Sequence, residues 1–371
     1  MARHYLDHAS TSPMRPEAVD AVFGWLGRVA GDPGRIHAEG MEARHAVEVA
    51  REQVAGLFGT RPRSVVFTSG ATEAIAAACW GGAERGGHQV VAAVEHSAVR
   101  RSAAAHGAVT VVGVDGHGRV DPDELLSACR PDTAMVHLQW GNHEVGTLQP
   151  VTEVVAACRE RGVLVHVDAA AAAGRVPIAF DDLGADLLSV SAHKLGGPPG
   201  AGALLVRRGL RVRPLLVGGD QERSRRAGLE PVALLVGFGA AAAALGDGRL
   251  ADEAAEQARL SGRIVDAVPD LDGLHLYGHP SQRLPHLVCL GVDGVEPQAV
   301  LLGLDRAGVA AHSGSACSSE SLEPSPVLEA MGVDAHHSLR LSVGWSSTDD
   351  DVDAVLAELP RVLTALRALA R

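Results

Sequence analysis

The chain has 371 residues, enough to bury a large core as one big domain or as two of ordinary size. Apolar residues make up 46%, aromatics only 3%, and the net charge is −12, a balance that argues against a general nucleic-acid surface. The longest apolar stretches carry glycines and stop short of the roughly 20 residues that span a bilayer, and MARHYLDHAS has no apolar signal core, so a cytoplasmic protein without a membrane partner is expected.

In chain order, His37 to Gly59 reads as an amphipathic helix leading into a first domain. From about residue 60 to 245, short β-branched runs alternate with longer helical ones. The runs at 64–69, 88–94, 108–114, 133–139, 163–169, 186–192 and 202–208 read as strands, and segments such as 73–87, 121–131 and 151–162 as helices. The helix at 151–162 is expected to open on Thr152 as its N-cap and to close on Gly162. Continuous apolar strands alternating with helices predict an α/β domain with a mostly parallel sheet covered on both faces. The arginine-rich stretch ERSRRAG (Glu222 to Gly228) reads as a solvated loop rather than a binding patch.

After about residue 246 the character changes. A charged helix at 249–268 is followed by strand-like LHLYG and HLVCLGV, a helix around PQAVLLGLDRAG, strand-like SLRLSVG and a last helix at 349–369. The expected division is a large domain over 16–245 and a smaller α+β domain built from 1–15 and 246–371.

Five cysteines, an odd number without a CxxC pair, predict neither a disulfide framework nor a metal site. Cys79, Cys129 and Cys158 in helix-like runs and Cys289 in a strand-like run read as small buried hydrophobes. Cys317 differs. Its surroundings, AHSGSACSSES, are small and polar, as suits a mobile reactive thiol rather than a core residue.

Ligands of open α/β sheets bind outside the carboxyl ends of the strands, and here five predicted strands end in polar groups. VVFTSGATEA turns at Gly70 and starts a helix near Thr72, whose first amides suit a phosphate. His96 follows the next strand; Asn142, His143 and Glu144 follow another. Asp168 ends an otherwise apolar strand, which is unfavourable unless the carboxylate is paired. Ser191, His193 and Lys194 end the next. Any one of these alone would pass for a capped turn or a loop residue.

Lys194 is the only lysine among 33 lysines and arginines. Arginine holds its proton too tightly to act as a nucleophilic amine, whereas a desolvated lysine can lose its proton and form a Schiff base. The expected cofactor is pyridoxal 5'-phosphate, with Lys194 on its aldehyde and Asp168 on its ring nitrogen. Thr72 and nearby amides would take the phosphate, helped by Ser191 and His193, and His96 would stack on the ring.

These motifs resemble those of cysteine desulfurases in the class V aminotransferase family, with the type I pyridoxal-phosphate fold. The likeness runs from YLDHASTSPMRPEAV through GNHEVGTLQP and HVDAAAAAGRVPI to SLRLSVG, and SAHK together with SGSACSS is its most specific part. It implies a mainly parallel seven-stranded sheet flanked by helices. It makes Lys194 the Schiff-base lysine, Asp168 the pyridinium partner and His96 the stacking histidine and a candidate acid or base. Ala71, Thr72, Ser191, Ala192 and His193 would line the phosphate site. Asn142 would lie beside the ring, and Arg340 would grip the substrate carboxylate. Cys317, on a segment similar to the family branch with an extended mobile loop, would take sulfur from L-cysteine as a persulfide, leave alanine, and pass the sulfur to an acceptor protein.

A homodimer is implied as well. The acceptor stays open among iron–sulfur assembly, tRNA thiolation, DNA phosphorothioation and a biosynthetic carrier. Two positions depart from the family: Ala171 where a glutamine usually meets the cofactor hydroxyl, and Leu229 where a threonine usually reaches the neighbouring subunit's phosphate. Each lost hydrogen bond removes about 1 kcal/mol, so looser cofactor retention is expected. The alternatives are a related aminotransferase, C–S lyase or selenocysteine lyase, which need no thiol on that loop, and a non-catalytic subunit of the same fold.

Overall fold

The computed structural model describes residues 3–28, 31–313 and 324–369. Its centre is a seven-stranded sheet formed by β1 (Val65–Thr68), β2 (His88–Ala92), β3 (Ala108–Val112), β4 (Thr133–Gln139), β5 (Leu164–Asp168), β6 (Leu187–Ser191) and β7 (Gly202–Val206), in the order β1-β7-β6-β5-β4-β2-β3. The pairs β2–β3, β2–β4, β4–β5 and β5–β6 are parallel; β7 alone runs against its neighbours. Interior strands such as β2, β5 and β7 are buried along their whole length, as helices on both faces require, while β3 at the edge exposes Ala108 and Val111.

Helices α1 (Pro16–Leu26), α2 (Ala38–Leu57), α3 (Ala71–Ala83), α4 (Ser97–His106), α5 (Val151–Glu160) and α6 (Val232–Ala243) cover this sheet. The expected helix at His37 to Gly59 forms as α2, with the His37 ring accepting from the Gly40 amide as its cap. The apolar, glycine-bearing α6 packs on α1 and α2. A Cβ at Gly237 would meet Val22 at 2.4 Å and one at Gly239 would meet the Ala50 backbone at 2.6 Å, so those glycines permit the close approach. At α5 the cap differs from expectation by two positions. Pro150, not Thr152, is the N-cap residue, because proline's fixed φ starts the turn earlier; Gly162 follows the end in a left-handed conformation.

ERSRRAG is not a solvated loop. Glu222 is buried, chelates Arg51 at 2.6 and 2.7 Å and accepts the Phe67 amide, while Arg226 pairs with Glu73 and Arg225 binds the Arg63 and Val65 carbonyls. The charges found partners inside the fold, far off in sequence.

Across the sheet runs a row of buried polar side chains. Gln89 contacts His137 at 2.7 Å, His137 contacts His166 at 3.0 Å, and His166 contacts Ser189 at 2.7 Å. Burial holds His137 at about 3 and His166 well below the usual range, so both rings are neutral.

The main elements after residue 245 are α7 (Arg249–Ala267), β8 (Leu274–Tyr277), β9 (Leu287–Val292), α8 (Pro297–Arg306), α9 (Pro326–Met331), β10 (Ser338–Ser342) and α10 (Asp349–Leu369). Strands β10-β9-β8 form an antiparallel sheet. A second core of residues such as Leu260, Ile264, Leu290, Leu304, Leu341 and Leu359 joins this sheet to α7, α8 and α10, and Leu6 from the N-terminal segment enters it. None of the described helices is long and apolar enough to cross a membrane.

Candidate active site

The carboxyl ends of β1, β2, β4, β5 and β6 open onto one cavity of about 530 Å³. Of the residues singled out in the sequence, Ala71, Thr72, His96, Asp168, Ser191, His193, Lys194 and Arg340 line it. Register explains part of this. Gln139 and Asp168 are paired on the parallel strands β4 and β5, so both side chains leave the same face at the same level.

Lys194 ends a short 3-10 turn after β6, and its ammonium donates to the Ala9 carbonyl. Burial, and then the Arg340 guanidinium, pull its amine down to about 8 against the opposing pull of Asp7 and Asp168. His193 is pushed down to about 4 by burial and by Lys194, so it is neutral near pH 7, and its Nδ1 lies 3.2 Å from the Thr11 hydroxyl. Asp168 Oδ1 accepts the Ala170 amide at 2.9 Å.

His96 is the N-cap of α4. Its Nδ1 accepts the Ala98 amide at 3.1 Å, which leaves the ring proton of the neutral form on Nε2. The His143 ring stands edge-on to it at 5.0 Å. At the start of α3, Gly70 provides no side-chain cap, so the first-turn amides of Ala71 and Thr72 face the cavity end of the helix, with the Ser191 side chain beside the Gly70 turn.

Arg340, on β10, reaches the cavity from the second sheet. Its guanidinium binds Ser10 Oγ at 2.6 Å, the His143 carbonyl at 2.8 Å and Asp7 at 3.1 Å, and its buried Nε has no partner among the described residues. An inward-facing arginine with one unmatched donor suits a carboxylate.

Two expected contacts fall elsewhere. Asn142 is fully buried behind the wall: its Oδ1 accepts the Glu144 and Val145 amides, both at 2.8 Å, and its Nδ2 donates to Val94 O at 3.2 Å. It shapes the turn that presents Gly141 and His143 to the cavity in its place. Ala192 is also buried, with its carbonyl accepting the Leu195 and Gly197 amides, and supports the turn from below. Ala171 lines the cavity, whereas Leu229 is exposed and does not.

Cys317 lies outside the described residues. The flanks of its segment adjoin the cavity wall: His312 exchanges two backbone hydrogen bonds with Arg340, and the Ser325 hydroxyl donates to Glu144, next to His143. Of the other cysteines, Cys79, Cys158 and Cys289 are buried and pushed up to about 12 by burial, which makes them inert at neutral pH. Among the described residues no cluster could hold a metal ion.

Three site residues escaped the sequence reading. Glu95, hidden by its neighbour His96, is buried near Asp168 and rises to about 8. Gln139, a polar end to an apolar strand, was as visible in principle as Asp168. Ser10 carries no local signal.

The donor set fits pyridoxal phosphate: a partly neutral amine, a carboxylate at a neighbouring strand end, open helix amides with a hydroxyl and a neutral imidazole, and a second imidazole against the wall. The chain is similar to known proteins along most of its length. The family model described as "Aminotransferase class-V" matches residues 4–355. The "Cysteine desulfurase IscS" of Methanosarcina thermophila is 39% identical over 98% of this chain and 92% of its own. A solved "NifS-like protein" superposes with a TM-score of 0.91 at 30% identity, covering 98% of this chain and all of the other. A structure described as "SspA in complex with cysteine" superposes at 0.80 with 26% identity, covering 93% and 100%.

Proposed function

This chain belongs to the class-V aminotransferases, and from that membership we infer that it is a cysteine desulfurase, which removes sulfur from L-cysteine and leaves L-alanine. The observation that carries the reading is the convergence of the only lysine, Asp168 and the open start of α3 on one cavity. Bound pyridoxal phosphate supplies an electron sink that weakens the bonds around the substrate α-carbon.

Lys194 would hold the cofactor, with Asp168 at the ring nitrogen, the Ala71 and Thr72 amides with Ser191 and His193 at the phosphate, and His96 against the ring. An amine near 8 is partly neutral at pH 7, so Nζ of Lys194 can take up a proton and return it. His96 can give a proton only from Nε2, since Nδ1 is committed to the helix cap. Arg340, held in place by Asp7, Ser10 and the His143 carbonyl, orients the substrate carboxylate. Cys317 is the proposed carrier: its thiolate accepts the substrate sulfur as a persulfide and hands it to an acceptor protein.

A second copy of the chain is the proposed permanent partner. Phe23, Ile36, Met41 and Leu229 expose apolar side chains on α1, around the start of α2 and on the loop before α6, as an interface between copies would. The second core, drawn from Leu6 and residues between Leu260 and Leu363, supports the proposed smaller unit, while Leu284, Leu287, Val327 and Leu328 of the same stretch pack into the first core, and the free thiols suit the proposed cytoplasmic location.

The test is product analysis with L-cysteine. The chain should yield alanine and a persulfide, and Cys317→Ala should keep the yellow chromophore yet form no persulfide. Keto acid in place of alanine, or sulfide at full rate from Cys317→Ala, would sink the assignment.

A further inference from the structure

The turn that follows Lys194 is held at four consecutive carbonyls. The Ser12 amide donates to His193 O at 3.0 Å, Arg175 Nη2 to Lys194 O at 3.1 Å, Arg15 Nε to Leu195 O at 2.9 Å and the Arg15 amide to Gly196 O at 2.8 Å. Gly196 has φ +88, and a Cβ there would meet the Arg15 side chain at 2.6 Å, so the turn and the arginine fit only with glycine between them.

The two arginines are built differently. Arg15 is neutralised by Glu253 of α7 at 2.6 and 2.7 Å. Arg175 is equally buried, yet its hydrogen-bond partners among the described residues are all neutral: Gln257 Oε1 on α7 at 3.1 Å, Ser12 Oγ at 2.7 Å and the carbonyl of Lys194 itself. Among the described residues it makes no ion pair within 4.0 Å. The carboxylate acting on it, Glu253, is already committed to Arg15, and burial with the Arg15 charge outweighs it and weakens the hold of Arg175 on its proton, so stability alone gives little reason for its charge.

We propose that Arg175 is a positioning residue for Lys194: it holds the lysine's own carbonyl, fixes the point where the amine enters the cavity, and places a cation without an ion-pair partner of its own close to it. Gln257 ties the same guanidinium to α7, so the seat of the lysine depends on that helix. This rests on the reading of Lys194 as the reacting amine. Other charged and titratable groups around the amine are Arg340 from β10, Asp7 from the N-terminal segment, Asp168 from β5, the adjacent His193, and His286 just before β9. Arg340 acts more strongly than Arg175 on the lysine's charge, and burial acts more strongly than either. The effect sought is therefore modest.

The lone lysine makes the test clean. Acetic anhydride, applied to the full-length chain freed of cofactor, modifies one side-chain amine, and peptide mass spectrometry reads its extent against the N-terminal amine. Removing the nearby cation favours the ammonium form, so the pH–rate curve of Lys194 in Arg175→Gln should move to higher pH, with labelling at pH 7 slowed about threefold or more. Gln257→Leu, which leaves Arg175 in place without its α7 anchor, should shift the curve the same way by less, and decides the matter if Arg175→Gln fails to fold. Wild-type curves in whichever of the two variants unfold cooperatively would overturn the proposal. The assignment of Lys194 as the cofactor lysine is tested separately, by the chromophore of the holoenzyme.

Discussion

Glu95 lies fully buried behind Asp168, and the charge of Asp168 adds to burial in keeping it protonated. Its Oε1 accepts the Gln139 amide at 2.6 Å, and its Oε2 is buried without a partner among the described residues. A protonated Glu95 thus puts no second negative charge beside Asp168.

A stability signature follows from this. Glu95 titrates near 8 in the folded chain against an ordinary 4.5. Between those values the unfolded chain has released the proton and the folded one holds it. Folding then takes up a proton, and stability falls as pH rises across the window, by about 1.4 kcal/mol per pH unit. Glu95→Gln mimics the protonated form, so its Tm relative to the parent should climb from pH 5 to pH 8 and show little change near pH 4. A constant difference at every pH would contradict a protonated Glu95.

Lys194→Arg preserves the positive charge but holds its proton too tightly for nucleophilic chemistry. The variant should fold with a near-parental Tm, remain colourless with pyridoxal phosphate and give no alanine. Retention of a yellow chromophore through dialysis would place the cofactor on another group.

Ala171 lines the cavity where a polar side chain is expected by resemblance. Ala171→Gln should slow cofactor loss during dialysis several-fold, in line with about 1 kcal/mol for one hydrogen bond. Parental retention that is already complete after long dialysis would remove the premise.

Glu222→Ala leaves the buried Arg51 guanidinium with only the half-exposed Glu48 carboxylate at 3.1 Å, since the Arg51–Glu222 pair is closed on both sides at 3% and 1% side-chain exposure. A loss of about 3–5 kcal/mol in urea unfolding is expected. An effect below about 1 kcal/mol would mean that water reaches the guanidinium.

Much of the fold was legible because its signals are local. All seven central strands are short, largely apolar runs bounded by turns, and each forms at the expected place. Lys194 and Asp168 stood out for the same reason: one is alone in an arginine-only background, the other is charged in an apolar strand. What stayed hidden depends on contacts between distant segments. Arg15 meets the turn after Lys194 across 180 residues, and Glu222 meets Arg51 across 171, so neither arginine nor the ERSRRAG stretch carried a readable partner. Asn142 is expected beside the ring by resemblance, and only the folded turn shows its side-chain amide bonded to the Glu144 and Val145 backbone.

The neutral imidazole row across the sheet has a consequence for the molecule's tolerance of acid. His137 and His166 within it, with His8 and His286 beside the cavity, are buried and held below the usual histidine range by desolvation. The unfolded chain binds a proton at each of these sites once pH drops below about 6.5, and the folded chain does not. Acid therefore acts as a ligand specific to the unfolded state, with four sites filled together. Each contributes up to about 1.4 kcal/mol of lost stability per pH unit. The transition should be steep in pH, and proton uptake on acid unfolding should exceed what the carboxylates alone account for. Replacing His137 and His166 together with glutamine should make that transition shallower.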